Sequence, residues 1–280
     1  MSFEYLLLPR LEVQTGNAQS AWWLINAAPV MAVNLFAHNL GRQIGAFPRR
    51  VGIVHHDAQL LGERFFGRFW AQQRRGAVFI DSHDYSSKNK HALSLQPTAS
   101  CHLTLSLLLA FDGREGLTSP SKVERFLGHA RLAGGQIIGH GKPKPLNTRE
   151  EIQAAIRTGH WLVERTDVLE AADDEGDPLD ALIHACTRFR RREDGALSPT
   201  EPTEPNGAWI VPTTLGYATL TEFSARKGAR EGCLHAFAEP LVGLVQYVSV
   251  SRLADRPLPL WRHAWPREDV FIVTQKEIDP

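Results

Sequence analysis

Apolar and polar positions alternate over residues 5–14. Tyr5, Leu7, Pro9, Leu11 and Val13 fall on one side, with Arg10, Glu12 and Gln14 on the other. A period of two is that of a half-buried strand, and Pro9 marks an edge or a bulge. Over residues 29–44 the period becomes helical, with Val33, Phe36, Leu40 and Ile44 in one stripe, Pro29 in the first turn and Gly41 and Gly45 at the end. Residues 51–55 read as a second strand, and 77–81 and 101–111 as two more. In 101–111, Cys101, Leu103, Leu105, Leu107 and Leu109 face one way and His102, Thr104 and Ser106 the other. Residues 82–100 are polar and without period, which predicts a long loop or extended hairpin, a kind of insertion that is often functional. A helix follows from Ser119-Pro120, with Ser121 and Glu124 as a capping box and Val123, Phe126, Leu127 and Ala130 as its buried stripe. Gly134-Gly135 ends it, and Gln136-Ile137-Ile138 is a short strand.

The resulting β-α-β-β-α-β order is that of a ferredoxin-like, or RRM-like, domain. The second half is less regular. Thr148 and Glu151 form another capping box, opening a helix through about Val163. Residues 164–180 carry eight carboxylates against Arg165. Asp177-Pro178 starts a helix bearing Leu179, Leu182, Ile183, Cys186 and Phe189, which ends in Arg188, Arg190, Arg191 and Arg192 as the helix dipole favours. Residues 194–207 form a Pro-, Thr- and Glu-rich loop, and short apolar strands punctuated by Pro212, Pro240, Pro257 and Pro259 follow. The expectation is an α+β fold with an RRM-like domain over 1–140 and an irregular C-terminal α+β region over 141–280 packed on it.

Length and charge then narrow the classes. The chain has 280 residues, 43% of them hydrophobic, enough for a substantial core. Its 31 basic and 31 acidic residues cancel, which argues against a globally basic nucleic-acid binder. The cancellation is uneven: residues 41–150 hold 16 basic and 8 acidic residues, and residues 151–280 hold 14 and 21. An excess confined to one stretch can still build a phosphate-attracting surface. Cys101, Cys186 and Cys233 form no CxxC pair, so no zinc ribbon or redox dithiol is expected, and no metal or other cofactor. No apolar run reaches the roughly 18 residues of a membrane span. The Tyr5-to-Leu8 run has no basic flank and meets Pro9 at once, so it reads as a strand and not a signal peptide. A cytoplasmic protein with no membrane partner is expected.

The candidate chemistry lies in loops. The strand at 101–111 lacks the aromatic signature of a sheet-type RRM. In residues 14–28, Gln14, Asn17, Gln19 and Ser20 can read base edges or phosphates, and Trp22 and Trp23 can stack on bases. The same stretch also reads as a polar turn whose tryptophans cap the core. In 82–100, His83, Tyr85, Lys88, Lys90 and His91 suit a backbone clamp or a solvated loop, and Arg68, Arg74 and Arg75 add to the basic excess. Gly134 and Gly135 admit a close phosphate backbone, or cap a helix. His55 and His56 point to opposite faces of a strand and cannot easily share one ion. His140 has no evident catalytic partner, and no paired carboxylates, GxSxG or phosphate loop occur.

Several segments taken together resemble one family, in its order. LLLPRLEVQTGNA at 6–18 looks like that family's first strand and QNANA-type loop, and APVMAVNLFAHNLGRQIG at 28–45 like its following helix. VGIVHH at 51–56, CHLTLSLLLAF at 101–111 and RLAGGQII at 131–138 are similar to its second strand, its HL-x-V-SLLL strand and its glycine loop. DPLDALIHACTRF at 177–189, GAWIVPTTLGYATL at 207–220, FAEPLVGLVQYVSVSRL at 237–253 and LPLW at 258–261 complete the likeness. The family is the Csy-two family of type I-F CRISPR (Csy, or Cascade) surveillance complexes, whose members are Cas-five-type RAMP subunits. His83-Asp84-Tyr85 stands where members carry Arg-Asn-Pro, and Ser20-Ala21-Trp22 and Asn26-Ala27-Ala28-Pro29 replace Ser-Ser-Pro and Gly-Phe-Pro.

The resemblance implies a role without catalysis: no catalytic residue, binding of the 5′ handle of the crRNA, pairing with the CRISPR large subunit, and capping of a filament of backbone RAMP subunits. Target DNA would be met through the complex. RNA-binding residues on this reading are Gln14, Asn17, Gln19, Ser20 and Trp22 in the first loop, His83, Tyr85, Lys88 and Lys90 in a hairpin thumb at 82–100, and Arg131, Gly134 and Gly135 in the glycine loop. The alternative is a metal-independent RAMP endoribonuclease acting on CRISPR repeat RNA, with His55, His83 or His140 as its base. A third reading is a protein-binding adaptor docking through the acidic run and the arginines after it.

Overall fold

Strand β1 (Tyr5–Asn17) is longer than its alternation predicts, because bulges at Leu8/Leu11 and Val13/Gly16 change its phase. Arg10, at φ 48°, sits in the first bulge. Before it Leu6 and Leu8 face the main core and Leu7 the opposite face; after it Leu11 and Val13 face the main core. The protein is described by a computed structural model covering residues 5–78, 94–112, 120–170, 177–186, 189–191, 197–199, 209–227 and 232–277.

A small hairpin, β2 (Gln19–Ala21) and β3 (Leu24–Ile25), leads from β1 into helix α1 (Val30–Ile44). Gly45 ends α1 in the left-handed conformation, its N–H donating to Gly41 O. Then come β4 (Arg50–Leu60), an exposed hairpin of β5 (Gly62–Phe65) and β6 (Arg68–Ala71), and β7 (Gln73–Val78). β8 (Ser94–Ala110) has 17 residues. Its first part pairs with β7, from Gln73 opposite Ala99 to Val78 opposite Ser94, forming a two-stranded stem. The rest lies between β1 and β4.

Helix α2 (Pro120–Leu127) is shorter than expected. Ser121 lies inside it and not at its N-cap. Gly134 and Gly135 do not cap it; they belong to the turn between β9 (Arg131–Leu132) and β10 (Gly135–Gly139). After β11 (Lys144–Leu146), helix α3 (Arg149–Ala155) has the expected capping box, with Thr148 accepting from Glu151 N–H and Glu151 reaching back to the cap backbone. It stops at Ile156 rather than Val163. Gly159, at φ 109°, turns the chain, and His160–Glu164 is strand β12. Helices α4 (Thr166–Glu170) and α5 (Pro178–Cys186) and a small hairpin of β13 (Phe189–Arg191) and β14 (Leu197–Pro199) precede β15 (Trp209–Thr219), β16 (Ala238–Ser249), β17 (Leu260–Arg267) and β18 (Val270–Thr274).

The protein is thus a mixed α/β fold, mostly strands in one 12-stranded antiparallel sheet. The path runs β12-β16-β15-β18-β17-β4-β8-β1-β10-β9, with β11 on β1 and β7 on β8. The C-terminal half, expected to be irregular, supplies six strands of this sheet, β11, β12, β15, β16, β17 and β18. Its prolines do not interrupt them: Pro212 pairs opposite Leu244 within β15, and its carbonyl accepts from Asn26 Nδ2 at 2.6 Å. The outer edge of β4 is shared by two strands. β17 pairs at Val51 and Gly52, and β12 at Val54 and His55. Strands β4, β17, β18, β15, β16 and β12 therefore close into a ring.

One face of the sheet buries Phe36 and Leu40 of α1 and Val123, Phe126 and Leu127 of α2, with the Phe36 and Phe126 rings 5.3 Å apart. This core continues into the ring through Leu162, Leu215, Val245, Trp261 and Val273. A smaller core on the opposite face joins Leu7, Val54, Leu108 and Trp161 to Ile152 of α3 and Ile156 at its C-cap. Trp261 is fully buried, and its Nε1–H donates to Leu162 O at 3.0 Å, tying β17 to β12 across the ring. Trp261→Ala should cost about 3–5 kcal/mol in urea unfolding. A loss below 1 kcal/mol would show that the ring does not depend on it.

Candidate nucleic-acid interface

The loops picked out in the sequence meet at one end of the sheet. β1 finishes there with Gly16 opposite Cys101 and Asn17 opposite Ser100. Asn17 N–H donates to Ala133 O at 2.7 Å, which ties the first loop to the β9–β10 turn. Ala133 and Gly134 both have positive φ, 49° and 75°, the geometry of a two-residue hairpin turn. Gly135 is needed for another reason. A Cβ there would lie 2.6 Å from Gly16 N and 2.7 Å from Gln14 O, so two backbones pass in contact. On the other side of β8, Leu61 N–H donates to Ser100 O at 2.9 Å, and the β7–β8 stem rises from the same end.

The sheet face away from α1 and α2 is polar at this end. Gln14 lies opposite Gln136, and Gln136 opposite Arg131, all three exposed. Directly opposed residues share a face, so the three side chains form a row across β1, β10 and β9. His102 extends the row, with its Nδ1 accepting from Thr15 N–H at 3.3 Å, and Gln59 lies opposite His102. Neither Gln136 nor Gln59 stands out in the sequence; only the strand register reveals them. Two carboxylates, Glu12 and Asp57, flank Thr104 one step further in. They oppose phosphate there and confine a favourable anion contact to the loop end.

Other expected contacts are committed locally. Asn17 Nδ2 donates to Gln19 O at 3.1 Å while its Oδ1 accepts from Gln19 N–H at 3.0 Å. Gln19 Nε2 donates to Trp22 O at 2.8 Å. Ser20 accepts from Asn26 Nδ2 on its hydroxyl and from Thr214 Oγ1 on its carbonyl. Asn17, Gln19 and Ser20 therefore shape the loop, and Trp22 and Trp23, both exposed in the β2–β3 turn, are its presented surface. The tryptophans do not cap the core. His83, Tyr85, Lys88 and Lys90 lie outside the described residues.

The strand histidines point to opposite faces, as alternation requires. His55 is buried against Tyr247, ring centroids 5.0 Å apart, and its Nε2 has no hydrogen-bond partner among the described residues. His56 Nε2 lies 2.7 Å from Ser106 Oγ, which also accepts from Arg10 N–H. Both rings are held neutral, their pKa pushed down to about 4 mainly by burial, helped for His55 by His56 and for His56 by Arg10. His140 is exposed, with Nδ1 2.9 Å from Gly141 O.

A family model described as CRISPR-associated protein (Cas_Csy2) matches residues 6–272. The chain is also 26% identical, over 318 aligned positions covering 95% of this chain and 93% of the relative, to "CRISPR-associated protein Csy2" of Pseudomonas aeruginosa (strain UCBPP-PA14).

Two outcomes follow from this geometry. Gly135→Ala should destabilise the fold by about 1–3 kcal/mol through backbone overlap, whereas Gly134→Ala, with open space around it, should cost about 1 kcal/mol from its positive φ alone. Equal losses in thermal melts would remove the close-approach argument. Because His55 titrates near 4 when folded and 6.5 when unfolded, the unfolded chain takes up a proton first. Its contribution is intact above pH 6.5 and should fall by about 3 kcal/mol by pH 4. Urea midpoints that fall as steeply in His55→Phe would refute this.

Proposed function

The chain belongs to the Csy2 family of CRISPR-associated proteins, and on that premise we propose that it is a non-catalytic type I-F surveillance subunit that holds the 5′ handle of the guide RNA. The observation that carries this reading is the meeting, at one end of the sheet, of the β1 loop, the Ala133–Gly135 turn and the β7–β8 stem. Chains that must grip a flexible strand present such clusters of loops and exposed rings, because phosphates need polar donors and bases need flat apolar faces.

The spatial order β4-β8-β1-β10, with α1 and α2 on one face, supports a ferredoxin-like RAMP domain over about residues 1–140. On this reading the β7–β8 stem is the base of the thumb, and Lys88 and Lys90, outside the described residues, would supply its phosphate contacts. Arg131 and Gln136 add contacts at the glycine loop. The C-terminal region carries a different surface: Leu220, Phe223, Leu234, Phe237 and Trp265 are all exposed. Exposed apolar side chains in that number suit protein contact, which fits the pairing with the large subunit and the capping of the backbone filament. Target DNA is then reached through the complex. His55, buried, and His56, half-buried, both held neutral, serve packing in this reading.

Fluorescence anisotropy with a labelled repeat-derived RNA, read across a salt series, tests the proposal. Arg131→Ala should weaken binding about 5- to 10-fold and lower the salt slope by about one. Unchanged affinity and slope, or no binding by the unmodified protein, would overturn it.

A further inference from the structure

The hairpin of β5 and β6 is an element that the handle-binding reading does not use. It has ten residues, GERFFGRFWA, from Gly62 to Ala71. Four are aromatic, two are arginine, and there is no Leu, Ile, Val or Met. Every residue from Gly62 to Trp70 is exposed.

The register puts an aromatic beside an arginine on both faces. Phe65 lies opposite Arg68 with Trp70 next along the same face, and Arg64 lies opposite Phe69 on the other. Among the described residues neither arginine has an ion-pair partner. The tip is Phe66-Gly67, with φ of 47° and 73°. A two-residue turn with both φ positive ordinarily takes Asn-Gly or Asp-Gly. Phenylalanine there bears a conformational cost, and at 103% relative exposure it buries nothing in return. Neither turn chemistry nor core packing accounts for a ring at that position. Contact with something outside the chain does.

The occupant follows from composition and place. Exposed surface in the C-terminal half mixes leucines with aromatics, as protein contacts do; the hairpin offers four rings and two guanidinium groups against a single carboxylate, Glu63, which lies opposite Trp70. Rings stack on any base and arginines pair with any phosphate. The hairpin also leaves the sheet at the loop end: Leu61 N–H donates to Ser100 O and Gln72 N–H to Leu61 O, and Ser100 lies opposite Asn17.

We propose that the β5–β6 hairpin is a second contact for single-stranded RNA, continuous with the handle site, in which Phe66 and Trp70 stack on bases and Arg64 and Arg68 hold phosphates. This rests on the RNA-binding reading above and extends it to a finger that leaves the sheet at the same end as the thumb stem. Phe66→Asn is the informative variant, because asparagine suits the turn better and leaves the fold intact.

The test measures anisotropy of labelled 20-nucleotide oligouridine and oligodeoxythymidine with the unmodified protein, Phe66→Asn, Trp70→Ala, Arg64→Ala/Arg68→Ala and Arg131→Ala, with thermal melts alongside. Phe66→Asn and Trp70→Ala should each weaken RNA binding about 5- to 100-fold with unchanged melting. The double arginine variant should also reduce the salt slope. If Arg131→Ala weakens RNA binding while all hairpin variants bind as the unmodified protein does, the hairpin inference falls and the handle reading stands. If the unmodified protein binds no RNA, both fall. If the hairpin variants lose only the deoxythymidine strand, or lose self-association by light scattering while keeping RNA, the finger serves DNA or protein and the inference is overturned.

Discussion

The open edge of β4 governs the architecture. A strand edge inside a protein must have its N–H and C=O groups paired, and β4 meets that demand with two partners end to end, β17 at Val51–Gly52 and β12 at Val54–His55. A single straight strand cannot be replaced by two unless both belong to a surface that curves back, so the C-terminal strands close into a ring. Gly52 makes the junction possible: a Cβ there would lie 2.7 Å from Trp161 Cζ3 and 3.1 Å from Leu260 Cδ2. Beyond His55 the bulge at His55/Asp57 turns the strand, leaving Asp57 and Gln59 exposed. The covered end of the sheet thus becomes core and the uncovered end becomes the candidate interface.

At that end, shape is set by backbone and chemistry by side chains. Asn17, Ser20 and the Gln19 amide nitrogen are engaged within the loop, while Gln19 Oε1 is buried without a hydrogen-bond partner among the described residues. The groups left to face a ligand are Gln14, Gln136, Arg131, the rings of Trp22 and Trp23, and the β5–β6 finger. Division of labour of this sort holds a flexible polymer without reading its sequence at every position.

Much of the N-terminal order was legible because local pattern and burial agree there. The Cys101-to-Leu109 alternation places one face on the helices, and the Val33–Phe36–Leu40 stripe buries as its spacing requires. The Thr148–Glu151 capping box is likewise local and is found. The misses have non-local causes. His160–Glu164 continues a helical run in composition, yet pairing with both β16 and β4 makes it a strand. Pro212 and Pro240 read as breaks but lie within paired strands. Gln136 joins the site only through register, and Phe66 is not legible in the sequence because exposure at a tight turn has no signature in the residue itself.

Ring closure also has a cost in time. The edge at Val51–Gly52 waits for residues about 200 positions later, Leu260 and Trp261, to emerge from the ribosome. At about 5–20 residues per second, that is roughly 10–40 s during which a hydrophobic strand edge is exposed on the nascent chain. Contacts so distant in sequence also form slowly once available. The architecture that gives the finished protein a single continuous sheet thus leaves its assembly dependent on whatever shields β4 during synthesis.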